Sequence, residues 1–131
     1  MNPAEVVAFG LTSYLVLVAL LIGSFINLVA DRLPRRESFI HPRSHCRSCG
    51  RVLNVVDLIP VGGYFIRGGR CAGCGASIGA SSPAVEALCG ALMLAPVAML
   101  GLAPGAVVGG VAVALVGVAA VGLSFARNSS G

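Results

Sequence analysis

The sequence predicts an α-helical membrane protein with about three transmembrane helices and one sizeable polar loop between the first and the second. Three observations carry this. The 131-residue chain is 56% hydrophobic and 11% charged, whereas a soluble domain carries about 25% charged residues. Its uncharged apolar runs approach the ~20 residues that a helix needs to cross a bilayer. Eight of its nine arginines fall between Arg32 and Arg70, so polar and apolar residues are segregated along the chain. A net charge of +4 raises nucleic acid as a partner. Its confinement to one loop between membrane segments makes it a topology signal instead, and no nucleic-acid partner is expected.

The first element, residues 6–29, holds no charged residue. At about 1.5 Å per residue it spans roughly 36 Å, enough for a bilayer with some tilt. It lacks a basic n-region, its apolar stretch is long and no A-x-A site follows, so a retained anchor is expected over a cleaved signal peptide. "YLVLVALLI" suits lipid, and Ser24 and Asn27 suit protein or headgroups. Residues 1–30 form the first predicted unit and residues 31–82 the loop. Fifty-odd residues build a small core, which usually needs a metal or disulfides.

Hydrophobicity resumes over residues 84–102 and 105–125, giving a transmembrane hairpin over 83–126 with "GLAPG" as its turn. Pro96 is a candidate kink. Ala106, Gly110, Ala114 and Gly117 form a small-residue stripe at helical spacing, which permits close helix contact. "RNSSG", residues 127–131, reads as a frayed polar end. Because arginines favour the cytoplasmic side, the loop is expected in the cytoplasm and the N-terminus outside. Three spans then return Arg127 to the cytoplasm, which fits the same rule.

The loop holds Cys46, Cys49, Cys71 and Cys74 in the pattern C-x2-C, twenty-one residues, C-x2-C. A two-residue spacing lets both thiolates of one turn reach a metal at about 2.3 Å. Gly50 and Gly75, each following a second cysteine, suit a turn with positive φ. Two such knuckles supply a tetrahedral four-sulfur site, which suits one Zn²⁺ and less often a single iron. Disulfides or a redox dithiol are the alternatives. A reducing cytoplasm argues against the first and the symmetric pair against the second. A saturated site is closed, so a zinc-ribbon-like structural role is expected. Arg47, Arg51, Arg67 and Arg70 flank the knuckles and can offset thiolate charge, or can serve as solvated and lipid-facing charges. His45 is a possible substitute ligand, His41 a surface residue and Cys89 a small buried residue within a span.

Beyond the knuckles, "GSFINLVADRLPR", "PRSHCRSCG", "DLIPVGGYFIRGGRCAGCG" and "SPAVEALCG" follow in order. Together they resemble the N-terminal region of the type IV prepilin peptidases over roughly residues 20–95. The resemblance implies a bacterial inner-membrane protein of pilus biogenesis or type II secretion with a cytoplasmic zinc loop after its first span. Asp31 stands where the family pattern has an apolar or aromatic residue.

The resemblance also implies two catalytic aspartates at cytoplasmic membrane boundaries, one in G-x-G-D. An aspartic protease needs a carboxylate to activate water and a protonated partner. The acids here are Glu5, Asp31, Glu37, Asp57 and Glu86. No G-x-G-D occurs, and "GLSFARNSSG" stands near where the first catalytic aspartate is expected. No catalytic residue is therefore assigned, and half of a split enzyme or a non-cleaving remnant is expected, with a catalytic half and prepilins as candidate partners. The family also methylates pilin N-termini using S-adenosylmethionine, an activity associated in some members with the cysteine loop; no nucleotide fingerprint in a βαβ context supports it here. Asp57 is expected to fix the loop by hydrogen bonds. Glu86 is expected to cap the second span or pair with a loop arginine, and Asn27 to bond between helices. Rival readings are a membrane-anchored zinc-ribbon adaptor and a rubredoxin-like electron carrier, the latter separable by the colour of iron.

Overall fold

The protein is represented by a computed structural model that describes residues 1–79 and 81–131; Ala80, within the loop expected over 31–82, lies outside the described residues. Four helices follow in order: α1 (Pro3–Arg32), α2 (Gly62–Ile66), α3 (Ser81–Leu100) and α4 (Leu102–Ser129). α1, α3 and α4 are long and apolar enough to cross a membrane. Among the described residues there is no strand, only two isolated antiparallel bridges within the loop.

α1 starts earlier than its apolar run. Asn2 caps it: the Asn2 side chain accepts from the Glu5 N–H and the Glu5 carboxylate accepts from the Asn2 N–H, each at 2.9 Å, with Pro3 opening the helix. This reciprocal pairing satisfies two orphan donors of the first turn. This cap was not anticipated, although "N-P-A-E" carries its pattern. At the other end, α1 runs through Asp31 to Arg32.

The three long helices pack pairwise. Their shared core is Ala19, Ile26, Cys89, Met93, Val97 and Val113. Cys89 is fully buried, as its place in a span suggested. Of the stretch expected to face lipid, Tyr14, Leu17 and Leu21 point outward, whereas Ala19 lies in the core and Leu15 and Val16 pack against it. Close approach rests on glycines. A methyl group on Gly23 would sit 2.8 Å from the Cα of Glu86, so α1 and α3 touch backbone to backbone there. Asn27 donates to the Ser82 carbonyl at 3.1 Å, the interhelical bond expected of it.

The α3–α4 hairpin corrects two expectations. Its link is Gly101 alone, at φ 87°, and "LAPG" already belongs to α4. Pro104 lies in the first turn of α4, where its missing N–H costs no helical bond. The predicted stripe is also displaced by one residue. Gly110 and Ala114 are exposed, and the buried face is Gly105, Gly109 and Val113. A methyl on Gly109 would meet the Leu92 carbonyl and Met93 sulfur at 2.9 Å, whereas one on Gly110 would meet nothing within 4 Å. A one-residue link sets the rotation of α4 so that Gly105 backs Val97, and the contact face follows from there. Gly117, the last member of the predicted stripe, does pack, against Ile26 of α1.

The C-terminal end is helical to Ser129 where fraying was expected. Ser124 donates to the Ala30 carbonyl and Asn128 to that of Pro34, the latter at 3.3 Å. These bonds tie the end of α4 to the end of α1.

Candidate metal centre

The two cysteine knuckles fold as copies of one unit. In the first, Cys46 N–H donates to Arg51 O (2.8 Å) and Gly50 N–H to Cys46 O (2.8 Å), with a bridge between His45 and Val52. In the second, Cys71 N–H donates to Ala76 O (2.9 Å) and Gly75 N–H to Cys71 O (3.0 Å), with a bridge between Arg70 and Ser77. Gly50 and Gly75 have φ of 75° and 72°, the left-handed conformation that glycine adopts without penalty.

The knuckles face each other. Cys46 Sγ lies 3.8 Å from Cys74 Sγ and Cys49 Sγ lies 3.9 Å from Cys71 Sγ. All four sulfurs lie within 4.8 Å of one another. A tetrahedron with metal–sulfur bonds of about 2.3 Å has edges of about 3.8 Å. Two opposite edges already have that length, and none of the others exceeds 4.8 Å. All five cysteines are free thiols. The four loop cysteines are thus positioned to hold one metal ion.

The polar surroundings suit an anionic cluster. Backbone N–H groups of Cys49 and Ser48 lower the Cys46 thiol. Those of Cys74 and Gly73, together with Arg51, bring Cys71 down to about 6; the Gly73 N–H stands 3.3 Å from its sulfur. Cys74 receives an N–H from Ala76, yet desolvation and the neighbouring thiols push it up to about 11. Four thiols this close cannot all ionise without a cation between them. Arg51 is raised by the Cys71 sulfur first and Asp57 second. Its Nε is buried and has no partner among the described residues. A side chain on Gly73 would strike the Arg51 stem at 3.0 Å, so that glycine lets Arg51 lie across the second knuckle. An orphaned guanidinium donor beside four sulfurs is what a metal–thiolate cluster of net negative charge would satisfy.

Of the four arginines expected to offset that charge, Arg51 is the one so placed. Arg47 pairs with Asp31 and, at 3.5 Å, with Glu37. Arg67 pairs with Asp57, and Arg70 reaches the Gly75 carbonyl at 3.3 Å. His45 Nδ1 contacts the Arg43 carbonyl at 2.9 Å and stays outside the four-sulfur group, and His41 is exposed.

Asp57 fixes the loop, as "DLIP" suggested. Its carboxylate accepts from Asn54 N–H (2.9 Å), Arg51 Nη2 (2.9 Å) and Arg67 Nε (2.7 Å), while Asn54 Oδ1 accepts from the Asp57 N–H at 3.2 Å. The Asn54 N–H and the two arginines hold this acid below its usual range. It joins the exit of the first knuckle to the entry of the second. Glu86 is buried and pairs with no arginine among the described residues. It accepts from the Val61 N–H at 2.6 Å and the Ser82 hydroxyl at 3.3 Å. Val61 sits at φ 58°, rare for a β-branched residue, and the carboxylate holds that backbone. Arg32, also buried, donates to the Ser38 and Pro42 carbonyls at 2.6 and 2.9 Å and pins the start of the loop. Neither the Val61 conformation nor the burial of Arg32 had a sequence signal.

Comparison with known proteins falls on this same region. The family model described as the bacterial peptidase A24 N-terminal domain matches residues 17–100. A prepilin leader peptidase/N-methyltransferase of Myxococcus xanthus is 39% identical over 88 residues, covering 67% of this chain and 26% of that protein. Its namesake in Bacillus subtilis is 34% identical over 90 residues, covering 69% of this chain and 36% of that protein. One from Burkholderia pseudomallei is 31% identical over 114 residues, covering 68% and 37%. The chain thus spans about a quarter to a third of the length of these curated relatives. No solved structure matches it. With the family model covering both knuckles, the end of α1 and all of α3, the chain belongs to the bacterial peptidase A24 N-terminal domain family.

Proposed function

We propose that the chain is the zinc-binding membrane module of a prepilin peptidase-like protein of the bacterial inner membrane, serving the processing of type IV pilus or type II secretion prepilins. Cys46, Cys49, Cys71 and Cys74 hold one Zn²⁺. The observation that carries this is the opposed pair of matching knuckles, with four sulfurs inside 4.8 Å of one another. Bound there, the ion supplies structural cross-linking and, with four thiolates filling its coordination, no open Lewis-acid position. The chain's own residues do the rest. Arg51 offsets the cluster's charge, Asp57 ties the knuckles together, and Arg32 and Glu86 fasten the loop to the helices. The loop lies on the cytoplasmic side and the N-terminus outside. The module positions a prepilin, or the catalytic part of the enzyme, at the membrane boundary, and the cleaving aspartates come from sequence outside these 131 residues.

The test is leader cleavage with and without a catalytic partner. These 131 residues expressed alone leave a prepilin uncut. Co-expression with a chain carrying both aspartates restores cutting, and Cys46→Ser or Cys71→Ser removes that rescue. Cleavage by the lone chain overturns the assignment. Rescue that is indifferent to the cysteines overturns the role of the metal loop.

A further inference from the structure

The base of the loop lies deeper than a cytoplasmic loop should. On the loop side, the first charged residue of α1 is Asp31. Gly23, eight residues earlier, is level with Glu86, because a methyl there would touch the Glu86 Cα. At 1.5 Å per residue that places the Glu86 backbone about 12 Å inside Asp31. α4 gives the same level for the boundary, since Ser124 bonds at Ala30 and Arg127 follows. α3 adds a second constraint. Its 20 residues make about 30 Å, the whole thickness of a hydrocarbon core, with no length to spare.

The Val61 N–H nevertheless reaches the Glu86 carboxylate at 2.6 Å. A glutamate side chain of three carbon–carbon bonds covers less than half of the depth between Glu86 and Asp31. The loop must therefore descend to meet it. Here the chain carries α2, and several of its backbone N–H groups are paired: Gly63 N–H bonds Ile59 O at 2.9 Å, Arg67 N–H bonds Gly63 O at 3.1 Å, and Val61 N–H has Glu86. Such pairing is what apolar surroundings require. Phe65 is 70% and Ile66 61% exposed, with Leu58 and Ile59 also open. Large adjacent apolar residues of this kind are not left to water without a purpose. Arg67 follows directly but is taken by Asp57, which leaves the exposed Arg70 as the nearby basic side chain that an anionic headgroup can accept.

We infer that residues 58–66 are seated in the interfacial layer of the bilayer on the loop side, with Phe65 and Ile66 inserted at the acyl-chain boundary. The inference rests on the three long helices crossing a membrane and not on the identity of the metal. The depth of the Glu86 contact puts the patch at the bilayer, and the exposed Arg70 that follows it suits anionic headgroups, so lipid is the occupant.

The chain has no tryptophan, so Phe65→Trp is a clean depth reporter. The protein is reconstituted with zinc in vesicles of phosphatidylcholine and phosphatidylglycerol, with bromine carried either high on the acyl chain or near its end. Aqueous iodide is the opposing quencher, and Val52→Trp on the first knuckle is the reference. Phe65→Trp should emit to the blue of the reference. It should be quenched several-fold more by high-chain bromine than by low-chain bromine or iodide. Quenching by iodide equal to that of Val52→Trp overturns the inference. Blue-shifted emission protected from both quenchers also overturns it, in favour of a protein surface covering the patch. Ile66→Trp, scored the same way, replaces Phe65→Trp if the latter does not retain the metal content of the parent.

Discussion

Removing the Asp57 carboxylate should weaken zinc binding without touching a ligand. The carboxylate accepts one backbone N–H and two arginine donors, and its own side chain is 5% exposed. Hydrogen bonds to charged groups are worth about 1.5–3 kcal/mol each, and breaking a buried ion pair costs about 3–5 kcal/mol. Arg51 and Arg67 remain about a quarter exposed and can recover water when their partner is gone. That discounts the loss to about 2–4 kcal/mol for Asp57→Ala. The knuckles close around the metal only when the loop is folded, so this cost appears in the apparent metal affinity. At 1.4 kcal/mol per factor of ten, zinc affinity falls by roughly 30- to 700-fold. Asp57→Asn keeps an oxygen for the Asn54 N–H and for one arginine and should fall between. A chromogenic chelator competing for zinc in detergent measures both. If Asp57→Ala binds zinc as the parent does, the carboxylate is not the tie between the knuckles and the account of the loop fails.

Three further outcomes follow from the same geometry. Purified protein should carry one zinc per chain by elemental analysis and Cys71→Ser close to none, because apparent zinc binding of about 10–16 kcal/mol in peptides of this kind is what folds such a loop; a metal-free, protease-resistant loop contradicts this. Gly109→Leu should destabilise the helical bundle by about 1–3 kcal/mol and Gly110→Leu by under about 0.5 kcal/mol, as read by unfolding in mixed detergent; equal effects would show that the α3–α4 contact is misassigned. A membrane-impermeant maleimide should miss the loop cysteines in intact cells and label them after permeabilisation with a chelator, and labelling in intact cells reverses the topology.

The long elements and the four-cysteine cluster were legible because each rests on a local or periodic signal. Uncharged runs mark spans, and C-x2-C-G encodes its own turn through the spacing of the thiols and the permissive glycine. What could not be read is what depends on rotation and long-range contact. The stripe of α4 was misplaced by one residue because Ala106, Gly110 and Ala114 are as small as Gly105 and Gly109, and composition cannot choose between two adjacent small faces. The single-residue link at Gly101 decides it. The arginines were legible as a group but not as individuals. Only the fold shows that Arg51 takes the sulfurs and Arg47 takes Asp31 and Glu37. Glu86 was recognised as an acid needing a partner, yet its partner is a backbone N–H twenty-five residues upstream, which no side-chain pattern announces.

The five acids argue most directly about chemistry. Peptide cleavage by the family's route needs two carboxyl groups that share a site, one ionised and one protonated. Glu5 caps α1 at its start, the end away from the loop. Asp31 and Glu37 approach each other only through Arg47, whose guanidinium stands where a shared proton would have to be. Asp57 is enclosed by the Asn54 N–H and two arginines, which hold it below its usual range and unfit it as a proton donor near neutral pH. Glu86 is taken up by Val61 and Ser82. Each of the five side-chain carboxylates is thus committed to a structural bond, and all but that of Glu5 shape the loop or fasten it to the helices. Acids used in this way build a rigid platform at a membrane boundary. On the function proposed above, such a platform would hold a peptide or a partner domain beside the bilayer, with the cutting carboxylates supplied from elsewhere.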